Sequence, residues 1–93
     1  FTHFANAEDR ARTLEQLGRF LEVLRFYERR SVPSPLRAAS SSASIVTCPE
    51  AHLDLVRPGV LFYGVSPAPE LDVTTLGVAP ALVLFLWSLK DWE

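Results

Sequence analysis

Apolar residues in the first third of the chain recur at spacings of three and four: Leu14, Leu17, Leu21 and Leu24, with Phe20 and Tyr27 widening the stripe. That period puts them on one face of an amphipathic helix of about four turns. Thr13, just ahead of the stripe, is the predicted N-cap, and Arg29 and Arg30 stand where the C-terminal dipole favours cations. Before the helix, Phe1 to Ala5 alternates apolar and polar residues and predicts the end of a strand. Asn6 to Asp9 is then a polar, acidic turn able to start a helix. Ser31-Val-Pro-Ser-Pro stops the helix, because each proline disfavours helix at the residue before it.

Beyond that break the segments are short. Leu36 to Ala39 predicts a strand, and the serines at 40, 41, 42 and 44 lead into Ile45-Val46. Pro49-Glu50 is a turn, and Leu53 to Val56 a second short strand. Arg57-Pro58-Gly59 follows, then a helical turn from Val60 that Gly64 closes. Ser66 to Asp72, with its two prolines, reads as a loop. Ala81 to Glu93 reads as one apolar strand with a charged terminus. Strands alternating with helices in this order predict parallel strands joined by crossovers, an α/β architecture.

Composition narrows the classes without choosing among them. The chain has 93 residues, 48% hydrophobic and 22% charged, with a formal net charge of -2, which argues against a nucleic-acid or anionic-membrane surface. A single cysteine, Cys48, excludes an internal disulfide framework and fits a reducing compartment. The longest apolar run, Ala81 to Trp87, is far below the roughly 20 residues that span a bilayer, and the N-terminus has no signal-peptide pattern. A cytoplasmic protein is expected. The chain starts at Phe1 and contains no methionine, so a processed or truncated product is expected.

Three places offer chemistry. His3 sits at a predicted strand end, where α/β folds gather their active sites, although a lone histidine there is ordinarily a hydrogen-bonded structural residue. The serine cluster at a predicted helix start offers hydroxyls and free N–H groups to a phosphate; a flexible Ser-rich turn is the plainer alternative. Arg57-Pro58-Gly59-Val60 puts a planar cationic fork beside a glycine that lets a ligand approach the backbone, or is a plain turn with a surface arginine. Successive phosphate-type loops after short strands are a feature of the late βα-loops of TIM barrels.

These residues resemble a family. THFANAED at 2–9, LEQLGRFLEVL at 14–24, SSSAS at 40–44 ahead of Pro49-Glu50, and LVRPGVLFYGVSPAPE at 55–70 are similar, in order and in spacing, to alanine racemase, with the likeness running from Phe1 to Gly77. The resemblance implies the C-terminal strands and helices of a TIM (β/α)8 barrel over residues 1–78, and over 79–93 the first strand of a following β-domain. It implies pyridoxal 5'-phosphate as cofactor, alanine as substrate, a homodimer and a role in supplying D-alanine for cell-wall precursors. No metal, nucleic acid or membrane is implied. Racemases of serine or of basic amino acids, and a non-catalytic phosphate-binding or interaction module, are the alternatives.

Carried over residue by residue, His3 resembles the histidine beside the cofactor ring, which supports the pyridine-binding arginine. Arg57 looks like that arginine. Ser42 is similar to the phosphate-binding serine, and the backbones of Gly59 and Val60 to the pair that also holds phosphate. Ser41 stands where the family usually has asparagine and Ala38 where it commonly has histidine, which leaves the finer contacts of that loop open. An arginine facing the ring nitrogen does not readily give up a proton to it, so the resemblance implies a ring that is a weaker electron sink. Proton transfer in the family then needs a lysine and a tyrosine on opposite faces. The resemblance puts that lysine upstream of Phe1 and that tyrosine beyond Glu93. It gives no such role to Lys90, Tyr27 or Tyr63, so the piece alone is expected to be inactive. Phe85 to Trp92 departs from the family, as a divergent tail or a changed reading frame would.

Overall fold

The computed structural model describes residues 1–82. Its one long helix, α1 (Arg10–Arg29), begins earlier than the leucine stripe suggests. Asp9, and not Thr13, is the N-cap: its carboxylate accepts the Arg12 N–H at 3.1 Å. Thr13 lies inside the first turns, where its buried hydroxyl donates to Asp9 O at 2.8 Å. An aspartate that can cap from a turn outcompetes a threonine that can bond back into the helix, and the acidic turn supplies it. The helix stops where the prolines require, with Ser31 in the left-handed region (φ 52) and Val32 N–H returning to Tyr27 O at 3.0 Å.

The stripe holds with one exception. Thr13 and Leu17 are buried, and Phe20, Leu21, Leu24 and Tyr27 are half-buried, whereas Leu14 sits off the inner face and is exposed. Leu17 joins Phe4, Ala7, Ala39, Ala43, Cys48 and Ala51 in the core, with Phe20, Leu21, Leu53 and Leu71 packed around it. Most of these side chains are small, so the backbones approach closely.

Strand β1 (Ala38–Ser41) runs parallel to β2 (Leu55–Arg57), with Ala38 opposite Leu55 and Ser41 opposite Arg57. Both strands lie about two residues later than the apolar pattern predicts. Phe1 to Ala5 is not a strand. It makes one rung, Thr2 N–H to Ala38 O at 3.0 Å, and its neighbouring groups turn to Gln16, whose side-chain oxygen accepts Ala5 N–H and whose amide donates to His3 O at 2.8 Å. Between the strands come α2 (Ser42–Thr47) and a 3-10 turn at Pro49–Ala51; after β2 comes a 3-10 turn at Val60–Tyr63. The expected helical turn closed by Gly64 is present. Gly64 has φ 76, and a Cβ there would meet Ala79 O at 1.9 Å, so both conformation and space require glycine. The strand expected over Ala81–Glu93 falls almost wholly outside the described residues.

Arg37 and Asp54 clasp the strands at their entry ends. Asp54 accepts from the Arg37 backbone N–H (2.8 Å), Nε (2.9 Å) and Nη2 (2.8 Å), while Asp54 N–H donates to Arg37 O at 3.1 Å. The Arg37 side-chain and backbone hydrogen bonds hold the Asp54 carboxyl down at about 2, against an ordinary 3.8. A carboxylate depressed in the folded state stabilises fully above its unfolded value and stops doing so as pH falls through the folded one. The melting-temperature gap between the full-length protein carrying this segment and its Asp54→Asn variant is therefore expected to be constant above pH 5 and to close between about pH 4 and pH 2. Thermal melts across that range check it, and a gap that persists at the acid end rules out the carboxylate as its source.

Candidate functional site

The exit ends of β1 and β2 carry the candidate residues. Because Ser41 pairs with Arg57, the residues that follow them, Ser42 on one side and Gly59 on the other, leave the sheet side by side. Ser42 is buried, and its Oγ accepts the Gly59 N–H at 2.8 Å and the Leu61 N–H at 3.2 Å. A hydroxyl and backbone amides thus meet at one point. A Cβ on Gly59 would lie 3.6 Å from Ser42 Oγ, in van der Waals contact with it.

Ser41 N–H donates to Ser44 Oγ at 2.9 Å, reversing the chain sharply enough to put Ser42 at the start of α2. Ser40 acts on another part of the chain, where its buried hydroxyl donates to Ala51 O at 2.8 Å and ties the segment after α2 to β1. The cluster is therefore not a flexible turn.

Arg57 is half-buried and reaches back across β1. Its Nη2 donates to Thr2 O at 2.6 Å and to Ala39 O at 3.3 Å, and its guanidinium carbon stands 4.8 Å from the Phe1 ring centroid. Its Nε is buried and has no hydrogen-bond partner. A buried charged donor without an acceptor is costly, and here it belongs to the last residue of β2. His3 is exposed, with Gln16 Nε2 on its backbone oxygen. Arg57 meets this N-terminal segment through Thr2 O and the Phe1 ring. Val60 is half exposed, and the amide that joins Gly59 at Ser42 Oγ is that of Leu61, one residue further on.

Sequence reasoning missed Gln16, Leu61 N–H and the Arg10–Glu50 pair. A glutamine on a polar helix face and glutamate after a proline carry no local signal of what they will touch. Cys48 is packed in the core, where burial pushes its thiol up and a hydrogen bond to Glu50 adds to it. No group of three or more metal-ligating side chains occurs among the described residues. No described helix is long and apolar enough to cross a membrane.

The fold and site define an α/β segment with a hydroxyl–amide cluster and a half-buried arginine at the exit ends of parallel strands. The model of the alanine racemase N-terminal domain matches residues 1–67. The chain is 42% identical over 86 residues to alanine racemase of Desulforamulus reducens, covering 90% of this chain and 23% of that one. For the alanine racemase of Streptomyces coelicolor the figures are 38% over 87 residues, 90% and 22%. Among solved structures, alanine racemase from D-cycloserine-producing Streptomyces lavendulae superposes with a TM-score of 0.74 at 40% identity, covering 84% of this chain and 21% of that one. The Corynebacterium glutamicum enzyme gives 0.73 at 30% identity, covering 86% and 22%. This chain belongs to the alanine racemase family. It spans less than a quarter of the length of the relatives it matches.

Proposed function

We propose that the chain is part of a pyridoxal 5'-phosphate-dependent racemase interconverting L- and D-alanine, contributing the phosphate cradle and the pyridine contact. Residues 1–78 are then the C-terminal strands and helices of a (β/α)8 barrel and 79–93 the start of its β-domain. The working enzyme is a cytoplasmic homodimer supplying D-alanine to cell-wall precursors, with both proton-transferring bases outside this chain. The observation that carries this reading is the meeting of Gly59 N–H and Leu61 N–H on Ser42 Oγ beside an Arg57 whose buried Nε lacks an acceptor.

The residues fit the cofactor. Ser42 Oγ, fixed by the Gly59 and Leu61 N–H groups that donate to it, has its own proton to give to a phosphate oxygen, and a fixed cationic donor suits a ring nitrogen. When bound, pyridoxal phosphate acidifies the substrate Cα–H by delocalising charge into its ring. Ser42, Gly59 and Val60 would hold the phosphate, His3 would flank the ring, and Arg57 would donate to the pyridine nitrogen. The Arg57 guanidinium offers only donors and no acceptor, so it would meet the ring nitrogen as a hydrogen-bond donor.

Ser42→Ala in the full-length protein is expected to weaken binding of pyridoxal 5'-phosphate by roughly tenfold or more, the loss of one hydrogen bond to a charged group. Binding of pyridoxal, which lacks the phosphate, should hardly change. The parent protein should racemise alanine ahead of serine and lysine. Equal losses for both cofactor forms, or turnover of lysine but not alanine, would overturn the assignment.

A further inference from the structure

The hydroxyl that gathers the amides stands on a helix too short to hold itself in place. Helix α2 covers only Ser42–Thr47, and a helix of six residues has little stability of its own in water. Its position therefore depends on what grips it elsewhere. Ser42 is at one end, where Ser41 and Ser44 cap the helix; a second grip is at the other. Arg10, the first residue of α1, donates from Nη1 to Thr47 O at 2.9 Å and to Glu50 Oε2 at 3.1 Å, and its Nη2 pairs with Glu50 Oε1. Thr47 Oγ1 donates to Ala7 O at 2.7 Å, and the His52 ring holds Ile45 O at 2.9 Å.

We propose that Arg10 and Glu50 are positioning residues for the phosphate: by fixing the last carbonyl of α2 against the start of α1, they set where Ser42 meets Gly59 and Leu61. This rests on the reading of Ser42 as a phosphate ligand. The alternative is an ordinary surface ion pair. Both side chains are about half exposed (49% and 51%), and exposed pairs contribute little to stability. What sets this one apart is its geometry. The guanidinium is bidentate to the carboxylate and still reaches a backbone carbonyl, so one planar group fixes three oxygens in two elements. Arg10 in turn holds the Glu50 carboxyl down at about 2, so the pair stays charged through the neutral range.

The test compares cofactor with and without its phosphate in the full-length protein. Arg10→Ala and Glu50→Ala are each expected to raise the dissociation constant for pyridoxal 5'-phosphate by roughly tenfold while moving that for pyridoxal by less than about twofold. Glu50→Gln keeps the shape and one acceptor but removes the charge, so its phosphate-selective loss should be smaller, about threefold. It carries the test if the alanine variants do not fold. If Ser42→Ala discriminates between the two cofactor forms and these variants do not, the positioning role is wrong and the phosphate site stands. If Ser42→Ala itself fails to discriminate, the phosphate site is wrong and the positioning role falls with it. A parallel drop for both cofactor forms means that the pair merely supports the fold.

Discussion

Arg57→Glu in the full-length protein is expected to lower alanine racemisation by roughly 10²- to 10³-fold, the cost of removing one preorganised donor at a reacting centre. Pyruvate should also appear as a side product, the amino group of alanine passing to the cofactor, which would leave in the pyridoxamine form. Several links lead to this. Arg57 ends β2, its Nη2 is committed to Thr2 O and Ala39 O, and this leaves Nε as the buried donor without a partner. A carboxylate there would face those carbonyl oxygens and remove the charge that restrains the ring nitrogen. Arg57→Lys separates charge from shape. Lysine keeps the positive charge but has a single ammonium on a flexible stem, so it cannot hold Thr2 O and also present a second fixed donor. Its rate should fall between parent and Arg57→Glu, with little pyruvate. Initial rates of D-alanine and pyruvate formation in the three proteins decide between charge and fork. A lysine variant as fast as the parent would leave the fork without a role.

How much of this site was legible in the sequence depended on whether the signal was local. Arg57-Pro58-Gly59 and the Val60–Gly64 turn were readable because proline, glycine and a left-handed closure at Gly64 act on their immediate neighbours. Ser42 stood out within its cluster by likeness to a family, but its partners, Gly59 N–H and Leu61 N–H, lie 17 and 19 residues away and depend on strand pairing. Gln16 and Arg10 were invisible for the same reason. Their contacts to His3 O, Thr47 O and Glu50 cross from α1 to other elements, and no period or spacing encodes them.

The fold shows the same division. The 3.6-residue period placed the body of α1, yet its start depended on Asp9 capping Arg12 N–H, a choice between a turn residue and Thr13 that the leucines do not report. β1 was misplaced because its buried residues are Ala38, Ala39 and Ser40, too small to register as an apolar run. They are buried because neighbouring backbones come close, and that is a tertiary fact. Phe1–Ala5 has a strand-like alternation, but its Phe4 is drawn into the core and only Thr2 reaches β1.

The 93 residues by themselves are expected to produce no D-alanine and to melt without a sharp transition. Among the described residues the sheet has only β1 and β2, of four and three residues, and a two-stranded sheet is marginal in water. Leu55 and Val56 on β2 are exposed, as are Leu36 (74%), Phe62 (75%) and Leu82 (82%), apolar surface that favours association over a unique fold. The buried cluster has just Phe4 and Leu17 as large side chains, and alanines contribute little hydrophobic free energy when buried. Chemistry fails independently of folding. Proton transfer at Cα needs a positioned acceptor, and the described tyrosines do not offer one: Tyr27 lies on α1 against Phe26, and Tyr63 is 62% exposed. Helix α1 should persist longest, since its Asp9 cap and its Glu15–Arg19 and Glu22–Arg25 pairs are internal to it or adjacent. Circular dichroism should therefore show partial helix fading over a broad temperature range, and incubation with pyridoxal phosphate and L-alanine should leave the optical rotation unchanged. A cooperative melt together with turnover would falsify this, and would show that the chain positions a base of its own.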